Sequence, residues 1–559
     1  MLPGSVPNYI FPMWSPVYAS TANAFDFFLY KPLYWPGIGQ DPVMNPRLSL
    51  ASAPTWSKDS KTVTVKLKKL HWSDGQPLSA KNVKLWQNMV TAESHTWFAA
   101  APGVYPSNVT STTIVNPRTI SFHLKRAYSH RWFWYNELSQ ITPFPLSWDV
   151  TSVGAKPDSG GCLKSVSKCA AVYNFLNGQA KKGVGTYASN PLWQVVDGPW
   201  KLSSLSTSGQ GTFVPNKSYD GVDKPKLSKI TLLPFSSDTA EFNVLRAGHS
   251  IDIGYLPAAD VGQQSLLESQ GYTVKPWTSF GVGYAVLNLH NPKVGPIFSQ
   301  TYIRQALEEL VDQRGNIKAF YHGFAAQSCG PVPIAPPNTL ADSFEKSCPY
   351  AFSVSRAIKT LKSHGWHVVP NGVDTCAQPG TKSNECGAGI AAGAKLEFQY
   401  TYATGTQSVV QSVENEISDS AKAGIKLVAH GTTEGQAISA ASACKPTQAS
   451  CSWQMVNWGN GWDYAPGIYP TGEDLFKTGG GFNLGSYSNP TADSLINKSF
   501  NPGNDQASLD AYQNYLTKQV PVIWQATSPF EVAVVNSKLK GFDYDVFEYL
   551  NPSDWYLTK

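Results

Sequence analysis

The sequence lacks any long apolar run, any block of like charge and any recognisable leader. No stretch of about 18 consecutive apolar residues occurs, which excludes a membrane-spanning helix. The 44 basic and 39 acidic residues nearly balance, and no Lys/Arg block concentrates the net charge of +5, so a nucleic-acid partner is disfavoured. The first residues show no basic start followed by an apolar core, and we therefore expect no signal peptide in this sequence.

The motifs of common catalytic and nucleotide-binding sites are also missing. The sequence has no G-x-S-x-G, no H-E-x-x-H, no G-x-x-x-x-G-K-[ST] and no G-x-G-x-x-G that opens a helix. The glycine run at 479–481 lacks a lysine, and His364 and His367 lack a nearby acidic or cysteine partner. The ten histidines are scattered, so a Ser-His-Asp arrangement has no support. The sequence therefore predicts a protein that is not an enzyme and that uses no cofactor or metal.

The length of the chain predicts several domains. A chain of 559 residues is too long for one hydrophobic core and should divide into two or three domains. No repeat with a period of about 20–50 residues is visible, which disfavours a solenoid or a propeller.

The eight cysteines are the first specific feature that is present. They fall into four pairs of near neighbours, and no C-x-x-C spacing typical of a zinc ribbon occurs. Sequence cannot choose among all pairings of eight cysteines. We predict the sequential pairing because it closes the shortest loops, and disulfides imply an oxidising, extracytoplasmic setting. The predicted pairs are Cys162/Cys169, Cys329/Cys348, Cys376/Cys386 and Cys444/Cys451.

Strand and helix patterns alternate along the whole chain. Residues 62–67 alternate as a half-buried strand does, and Ser79 is a suitable N-cap for the helix that follows. Residues 284–289 give a strong strand signal, and 302–311 have the apolar spacing of a helix. An amphipathic helix over 408–423 should end at the following glycine. These patterns predict a mixed α/β protein.

One glycine-rich segment, residues 369–395, contains both Cys376 and Cys386. A disulfide between two cysteines this close, in a segment rich in turn residues, suggests a hairpin. We therefore predict a disulfide-tied hairpin over 369–395.

One aromatic segment, residues 456–466, suggests a binding site. Trp458, Trp462 and Tyr464 surround a single carboxylate, Asp463, among several glycines. Aromatic walls beside one carboxylate suit the ammonium group of an otherwise apolar or peptide ligand. The alternative is that Asp463 only caps the turn before Pro466. Local sequence favours neither interpretation.

Several blocks together resemble the family 5 extracellular solute-binding proteins of ABC importers, which include oligopeptide- and dipeptide-binding proteins. The segment from His71 to Val83 looks like the family's W-x-D-G-x-P-x-T/S-A-x-D-V signature, with Asn82 in place of the usual aspartate. The similar blocks follow the family order from about residue 56 to residue 541. The others are Asp197-Gly198-Pro199-Trp200-Lys201-Leu202, Leu245 to Asp252, Tyr302 to Asp312, and Ser486 to Asp493.

The resemblance implies a periplasmic-binding-protein type II fold with two ligand-gripping lobes, a hinge and an extra third lobe. The hinge strands are expected near Leu287–Leu289 and Ile523–Gln525. The extra lobe would comprise residues 47–184, and the second gripping lobe residues 289–525. The first lobe would be discontinuous, with residues 1–46, 185–288 and 526–559.

The resemblance also implies the binding residues. In peptide-binding members an aspartate in a W-x-x-D-Y-type segment pairs with the α-ammonium group of the ligand, and Asp463 occupies that position here. Neighbouring backbone pairs with an extended peptide, which makes Asn460 and Gly461 the expected main-chain contacts. The complete predicted set is Asp463, Trp458, Gly459, Asn460, Gly461, Trp462, Tyr464, Asn288 and Gln525.

One departure from the family bears on ligand length. Dipeptide-specific members carry an arginine in the loop after the strand that here spans 396–402, whereas residues 400–405 contain none. This favours an oligopeptide over a dipeptide.

The resemblance further implies a partner and a location. The expected partner is the membrane permease of an ABC importer, and the expected state is a monomer. The protein would work in the periplasm or on the outer face of the cytoplasmic membrane, with a lipid anchor before residue 1 left open. Two alternatives remain: an oligosaccharide or other small solute on the same fold, since 18 tryptophans offer stacking platforms, and a secreted hydrolase.

Overall fold

The structure is a computed structural model of the whole chain. It describes residues 9–13, 28–97, 103–235, 237–248, 250–459, 461–465, 467–503, 505–529 and 531–559. Strands and helices alternate throughout, as the sequence patterns predict.

The strands are short and spread over the whole chain. The strands of the first half are β1 (Trp35–Ile38), β2 (Asp41–Asn45), β3 (Thr55–Trp56), β4 (Thr62–Lys66), β5 (Val109–Asn116), β6 (Thr119–Leu124), β7 (Trp200–Leu205), β8 (Gly211–Pro215), β9 (Ile230–Leu232), β10 (Ile253–Tyr255), β11 (Tyr272–Trp277) and β12 (Gly281–Leu287). Those of the second half are β13 (Trp366–His367), β14 (Thr375–Cys376), β15 (Glu397–Ala403), β16 (Lys426–Thr432), β17 (Met455–Asn457), β18 (Gly461–Asp463), β19 (Ile523–Gln525), β20 (Glu531–Asn536), β21 (Leu539–Lys540) and β22 (Tyr556–Leu557).

The α-helices of the described residues are α1 (Ala80–Ala92), α2 (His130–Trp132), α3 (Cys169–Ala180), α4 (Asp238–Arg246), α5 (Gln264–Ser269), α6 (Gly295–Phe298), α7 (Thr301–Glu308), α8 (Gln313–Ala319), α9 (Ser343–Lys346), α10 (Val354–Ser363), α11 (Gln407–Lys422), α12 (Glu434–Ala440), α13 (Pro490–Ser499) and α14 (Asp505–Gln519). None of these helices is long and apolar enough to cross a membrane.

The larger sheets join strands that are distant in the chain. The strand orders are β1-β2, β3-β4-β6-β5, β7-β8-β9, β10-β20-β11, β13-β14, β21-β22 and β16-β15-β17-β12-β18, with β19 also on β12. The last of these is the largest sheet and contains the segment that the sequence singles out as a binding site.

The four-stranded sheet packs against α1. Val63 and Val65 of β4 are fully buried because alternate residues of a strand face the same side. Helix α1 begins with a capping box in which Ser79 and Asn82 satisfy each other's backbone amides. The Asn82 amide also donates to the carbonyl oxygen of Phe144 at 2.8 Å. The asparagine that departs from the family signature therefore caps the helix and ties it to the segment around Phe144.

The six-stranded sheet is built around β12. Every residue of β12 is buried, and β17, β18 and β19 all pair antiparallel with it. Strand β15 runs parallel to β16, and α11 connects them, as a parallel pair requires a crossover. Gly424 follows the end of α11 with a φ of +84°, which confirms the predicted glycine stop.

The chain crosses twice between the three-stranded sheet of β20 and the six-stranded sheet. One crossing lies between β11 and β12, and the other between β19 and β20. The second directly follows Gln525, where a hinge is predicted. The first precedes Gly281, at the opposite end of β12 from the predicted Leu287–Leu289, because β12 pairs with strands of the predicted second lobe. The other lobe boundaries stay predictions.

The segment around Asn136 contacts the region that follows the aromatic segment. The Asn136 amide donates to the carbonyl oxygen of Tyr469 at 2.8 Å, and its oxygen accepts from the Tyr469 amide at 2.8 Å. The Ser129 amide donates to the carbonyl oxygen of Phe500 at 2.9 Å. Residues of the predicted extra lobe thus form hydrogen bonds with residues of the predicted second lobe.

All eight cysteines form disulfide bonds, and the pairing is the sequential one. The bonded cysteines are 7, 19, 10 and 7 residues apart in chain order. Each bond therefore constrains a local loop and does not join distant parts of the chain. The bonds are Cys162–Cys169, Cys329–Cys348, Cys376–Cys386 and Cys444–Cys451.

The glycine-rich segment 369–395 carries the predicted disulfide, but in place of the regular ladder of the predicted hairpin it has isolated antiparallel bridges, the outer one between Thr375 and Lys395. Cys376 lies on β14, which pairs with β13, whereas Cys386 lies outside the strands. An isolated bridge joins Gly380 and Gly387, both at positive φ, where the chain turns too sharply to continue a ladder. Cys386 is fully buried, and its carbonyl oxygen accepts from the Tyr302 hydroxyl of α7. The Cys376–Cys386 bond therefore holds an irregular loop against a helix.

Candidate functional site

The aromatic segment forms a bulge on the central strand. Strands β17 and β18 follow each other along β12, where Val286 pairs with Val456 and Gly283 with Gly461. Between these pairs the 456–461 segment has two residues more than the facing part of β12, so it bulges out of the sheet. Gly459 lies in the bulge with a φ of +100°, a conformation that favours glycine. Asn460, a predicted contact, lies outside the described residues.

Glycines let the strands approach closely at this point. A methyl group on Gly461 would overlap the carbonyl oxygen of Val282, and one on Gly281 would overlap the Asp463 carboxylate. At Gly283 it would lie 2.7 Å from the carbonyl oxygen of Gln525. The glycines of β12 and β18 are therefore steric requirements of the site.

Asp463 is accessible to solvent yet enclosed by protein. Its side chain is exposed, at the end of β18 and against Gly281. Desolvation by the surrounding protein raises the pKa of Asp463 above its ordinary value, and a hydrogen bond with the Ser279 side chain partly offsets this. A carboxylate that water can reach but that protein surrounds lies in a cleft.

The turn after Asp463 does not use its carboxylate among the contacts of the described residues. The Ala465 amide donates to the main-chain oxygen of Asp463 at 3.0 Å, and the Tyr464 amide donates to the carbonyl oxygen of Phe280 at 2.9 Å. None of the ion pairs in the described part of the chain involves Asp463. Its charge is thus available to a ligand.

The aromatic residues of the segment have separate surroundings. Trp458 packs edge-on against Tyr284, with ring centroids 5.4 Å apart. Trp462 contacts Phe482 at 4.7 Å and faces the opposite side of β18 from Asp463, because successive strand residues alternate. Tyr464 is buried, and its hydroxyl donates to the carbonyl oxygen of Pro331 at 2.5 Å. The indole rings therefore flank the strand and do not sandwich the carboxylate.

A cavity of about 80 Å³ lies beside the strand. Trp462, Tyr464 and Phe482 line it together with Asn136 and Glu137. The aromatic segment thus lies where residues of the predicted extra and second lobes meet.

The same cavity is lined by three acidic residues that the sequence did not single out. Glu137 is buried, and burial raises its pKa well above the usual range. Burial next to Glu473 raises the pKa of Asp474 to about 7. Trp132 Nε1 donates to Glu473 Oε1 at 2.8 Å. These carboxyls come from distant parts of the chain, so no local pattern marks them.

A second acidic group consists of Glu548 and two of the carboxyls whose charges act on it, Glu531 and Asp545. Burial, and after it the charge of Asp463, raises the pKa of Glu548 well above the usual range. Burial raises the pKa of Glu531 to about 8, and that of Asp545 to about 8. One sequence signal could have found Glu531, which is a carboxylate at the start of an apolar strand.

The two remaining predicted ligand contacts have internal partners. Asn288 is fully buried; its amide donates to the carbonyl oxygen of Trp453 at 2.9 Å, and its oxygen accepts from the His290 amide at 3.1 Å. Gln525 is buried, and its amide donates to Glu416 Oε2 at 3.1 Å. The structure does not bring either side chain to Asp463. Asn288 instead holds the loop of the Cys444–Cys451 bond.

The described residues contain no group of three or more His, Cys, Asp or Glu side chains arranged to hold a metal ion.

Comparison with known proteins places the chain in a family. Residues 45–482 match the pattern of the bacterial extracellular solute-binding proteins, family 5. The chain is similar to the oligopeptide-binding protein OppA of Lactococcus lactis, with 22% identity over 87% of this chain and 78% of that protein.

Two solved structures share the fold. The oligopeptide-binding protein AppA of Bacillus subtilis, in complex with a nonapeptide, aligns with a TM-score of 0.70 and 16% identity over 99% of this chain and 97% of that one. NikA of Brucella suis, in complex with Fe(III)-EDTA, aligns with a TM-score of 0.71 and 18% identity over 99% of each chain. These likenesses confirm the predicted type II periplasmic-binding-protein fold.

The family consists of binding proteins of ABC transporters that work outside the cytoplasm, and they are not enzymes. Since the match covers most of the sequence, the chain belongs to the bacterial extracellular solute-binding proteins, family 5, and serves an ABC importer.

Proposed function

We propose that this protein captures peptides and that Asp463 binds the α-ammonium group of the ligand. The observation that carries the proposal is an accessible carboxylate, enclosed by protein, without an ion-pair partner among the described residues. Partial desolvation by the surrounding protein disfavours the charge of this carboxylate, and a cationic ligand offsets that effect. A charge-assisted hydrogen bond of this kind contributes roughly 1.5–3 kcal/mol.

The free edge of β18 supports a peptide over other cations. Strand β18 pairs with β12 on one side, and no other strand of the described residues pairs with it. An extended peptide can add to this edge through main-chain hydrogen bonds from Gly461 and its neighbours. Main-chain hydrogen bonds do not involve the side chains of the ligand, so such a site can bind peptides of many sequences.

The loop that follows β15 bears on the length of the ligand. The loop that follows it, through Gly405, has no arginine or lysine that could hold a carboxylate close to the amino end of the ligand. We therefore expect peptides longer than two residues. The similarity to OppA and to the AppA complex with a nonapeptide agrees with this proposal.

Binding is proposed to close the cleft. The two crossings, between β11 and β12 and between β19 and β20, can act as a hinge, and a ligand that contacts both sides favours the closed form. The closed form would dock on the permease from the periplasm or the outer face of the membrane.

A second candidate is an oligosaccharide stacked on Trp462 and Phe482. These two rings are partly exposed on the wall of the cavity. Sugar rings stack on such faces and need no carboxylate such as Asp463.

Calorimetry separates these candidates. We expect tetra-alanine to bind more tightly than di-alanine, and an oligosaccharide of similar size to show no binding. Mass spectrometry of ligands that co-purify should find peptides. Saccharide binding that survives Asp463→Ala would contradict the proposal.

A further inference from the structure

The cavity beside β18 is built by two distant parts of the chain. Gln140 lies on its wall in the predicted extra lobe, and Asp474 lies on its wall in the predicted second lobe. Asn136 and Tyr469, which also line the cavity, hold the two parts together through two hydrogen bonds of 2.8 Å. A group bound in this cavity would therefore lie between the two parts of the chain.

Gln140 has a side-chain oxygen without a partner. Its Nε2 donates to the main-chain oxygen of Asn136 at 2.5 Å, which fixes the orientation of the amide group. The oxygen of the same amide, Oε1, is buried and accepts no hydrogen bond from the described residues. Because nearly all buried polar groups in folded proteins are paired, a free acceptor on a cavity wall points to a donor on a bound molecule.

Asp474 is a second acceptor without a partner. None of the hydrogen bonds or ion pairs of the described residues involves its carboxylate. The neighbouring Glu473 is occupied instead, since Trp132 Nε1 donates to its Oε1 at 2.8 Å and the Thr471 hydroxyl donates to its Oε2 at 2.5 Å. Asp474 therefore keeps its carboxylate oxygens for a ligand.

The cavity wall is acidic and has no basic side chain. Glu137, Glu473 and Asp474 line it, and its described lining residues include no lysine, arginine or histidine. Glu137 is fixed in place, because the Tyr105 main-chain amide donates to its Oε2 at 3.0 Å. A wall of this composition disfavours an anion and favours a cation.

Two aromatic rings complete the wall. The ring centroids of Trp462 and Phe482 are 4.7 Å apart, and each ring keeps part of its surface exposed. The faces of such rings attract a cation within about 6 Å. Rings, a free carboxylate and a free amide oxygen together suit a cation that donates hydrogen bonds, which is the chemistry of an arginine guanidinium or a lysine ammonium.

We propose that this cavity is a pocket for the cationic side chain of a lysine or arginine within the peptide ligand, with Asp474 and Gln140 as its hydrogen-bond acceptors. This inference rests on the proposed peptide function. Trp462 faces the opposite side of β18 from Asp463, and the side chains of a peptide paired with β18 alternate in the same way. The cationic residue is therefore one whose side chain points to the Trp462 side, within about two or three residues of the amino end.

The pocket gives the extra lobe a part in the choice of ligand. Gln140 belongs to the predicted extra lobe, whereas Asp463 and Asp474 belong to the predicted second lobe. Asp463 would bind the amino end of any peptide, and the pocket would add a preference for one side chain.

Three pentapeptides of identical composition and charge test the inference. Ala-Arg-Ala-Ala-Ala, Ala-Ala-Arg-Ala-Ala and Ala-Ala-Ala-Arg-Ala are each compared by calorimetry with the same peptide carrying citrulline, the uncharged analogue of arginine. The proteins are the wild type, Asp474→Asn and a control that also loses one negative charge, Glu414→Gln, at an exposed glutamate of α11. Circular dichroism and thermal unfolding confirm that each variant is folded.

We expect one arginine peptide to bind the wild type about tenfold or more tightly than its citrulline counterpart, because only one position reaches the pocket. At the other two positions the affinities should differ by less than about threefold. The preference for arginine should fall below about threefold in Asp474→Asn and persist in Glu414→Gln.

Several results would overturn the inference alone. They are no preference for arginine at any position in the wild type, an equal preference at all three positions, or a preference that is unchanged in folded Asp474→Asn. The first two are measured on the wild type and do not depend on the folding of a variant. If none of the peptides binds the folded wild type, the proposed peptide function fails as well.

Discussion

Gly281 and Asp463 are paired residues of β12 and β18 that leave no space for a side chain between them. A methyl group at position 281 would overlap the Asp463 carboxylate and would lie 2.8 Å from the main-chain oxygen of Trp462. The glycine therefore sets where the carboxylate can lie. The geometry of the proposed ligand site thus depends on a residue that has no side-chain functional group.

Gly281→Ala should weaken peptide binding because it displaces the Asp463 carboxylate. We expect the affinity for tetra-alanine to fall by roughly tenfold or more, with a loss of stability of about 1–3 kcal/mol from overpacking. Isothermal calorimetry and thermal unfolding measure the two effects. The control is Gly178→Ala in α3, where a methyl group meets no atom within 4 Å. Equal affinities of the two variants would contradict the steric account.

The stability of the ligand-free protein should fall as the pH rises from about 4.5 to about 8. The pKa of Glu531 is about 8 in the folded protein and near 4.5 in the unfolded chain, so the folded state binds more protons in this window. The stabilisation is complete below pH 4.5 and is lost as the pH rises to 8. Asp545, with a folded pKa of about 8, contributes in the same direction.

Glu531→Gln tests this pH dependence. The decrease in Tm between pH 5 and pH 8 should be smaller in the variant than in the wild type, because the amide cannot ionise. Glu414→Gln should keep the wild-type decrease. Parallel Tm curves for Glu531→Gln and the wild type would show that Glu531 does not carry the effect.

Arg304→Lys should destabilise the protein without changing ligand affinity. The Arg304 guanidinium is 2% exposed and donates to the main-chain oxygens of Val520 at 2.8 Å and Gln519 at 2.9 Å, at the carboxyl end of α14. A lysine ammonium cannot reproduce this planar set of donors, so we expect a loss of about 2–3 kcal/mol in unfolding free energy. Urea unfolding measures it. The exposed Arg356→Lys should change stability by less than about 0.5 kcal/mol, and similar losses for both would contradict the role of Arg304.

The disulfide bonds should differ in their contribution to stability. The Cys329–Cys348 loop spans 19 residues and the Cys162–Cys169 loop 7, so the first constrains the unfolded chain more. Replacing both cysteines by serine should cost about 1 kcal/mol more for the longer loop. Differential scanning calorimetry of the two double variants checks this order, and the reverse order would contradict it.

Local patterns predicted much of the fold. The strand alternation at 62–67, the helix after Ser79 and the helix over 408–423 are confirmed within a few residues, because each depends on its own periodicity and caps. The order of the family blocks predicted the fold class. The sequential disulfide pairing matches the structure because neighbouring cysteines lie on the same loop.

Long-range relationships could not be predicted in this way. The pattern of β12 predicts a buried strand, but it does not show which sheet the strand joins, so the crossing before Gly281 could not be predicted. The spacing of the cysteines predicted the Cys376–Cys386 bond correctly. It could not show that β14, which contains Cys376, pairs with β13 at residues 366–367, before the glycine-rich segment begins. Glu137 meets Glu473 and Asp474 only in the folded chain, so no spacing could reveal that group.

The internal contacts of Asn288 could not be predicted from the sequence either. Its position at the end of β12 looks like a hinge, whereas its amide group is used inside the protein, on the carbonyl oxygen of Trp453.

The most direct test compares Asp463→Asn with the wild type, using tetra-alanine and its N-acetylated form. Acetylation removes the positive charge of the peptide, and the substitution removes the negative charge of the protein. We predict by calorimetry that the wild type binds the free amine at least about tenfold more tightly than the acetylated peptide, and that Asp463→Asn binds the two alike. If Asp463→Asn is folded and keeps the wild-type preference for the free amine, another group binds the amino end of the ligand and the account is wrong.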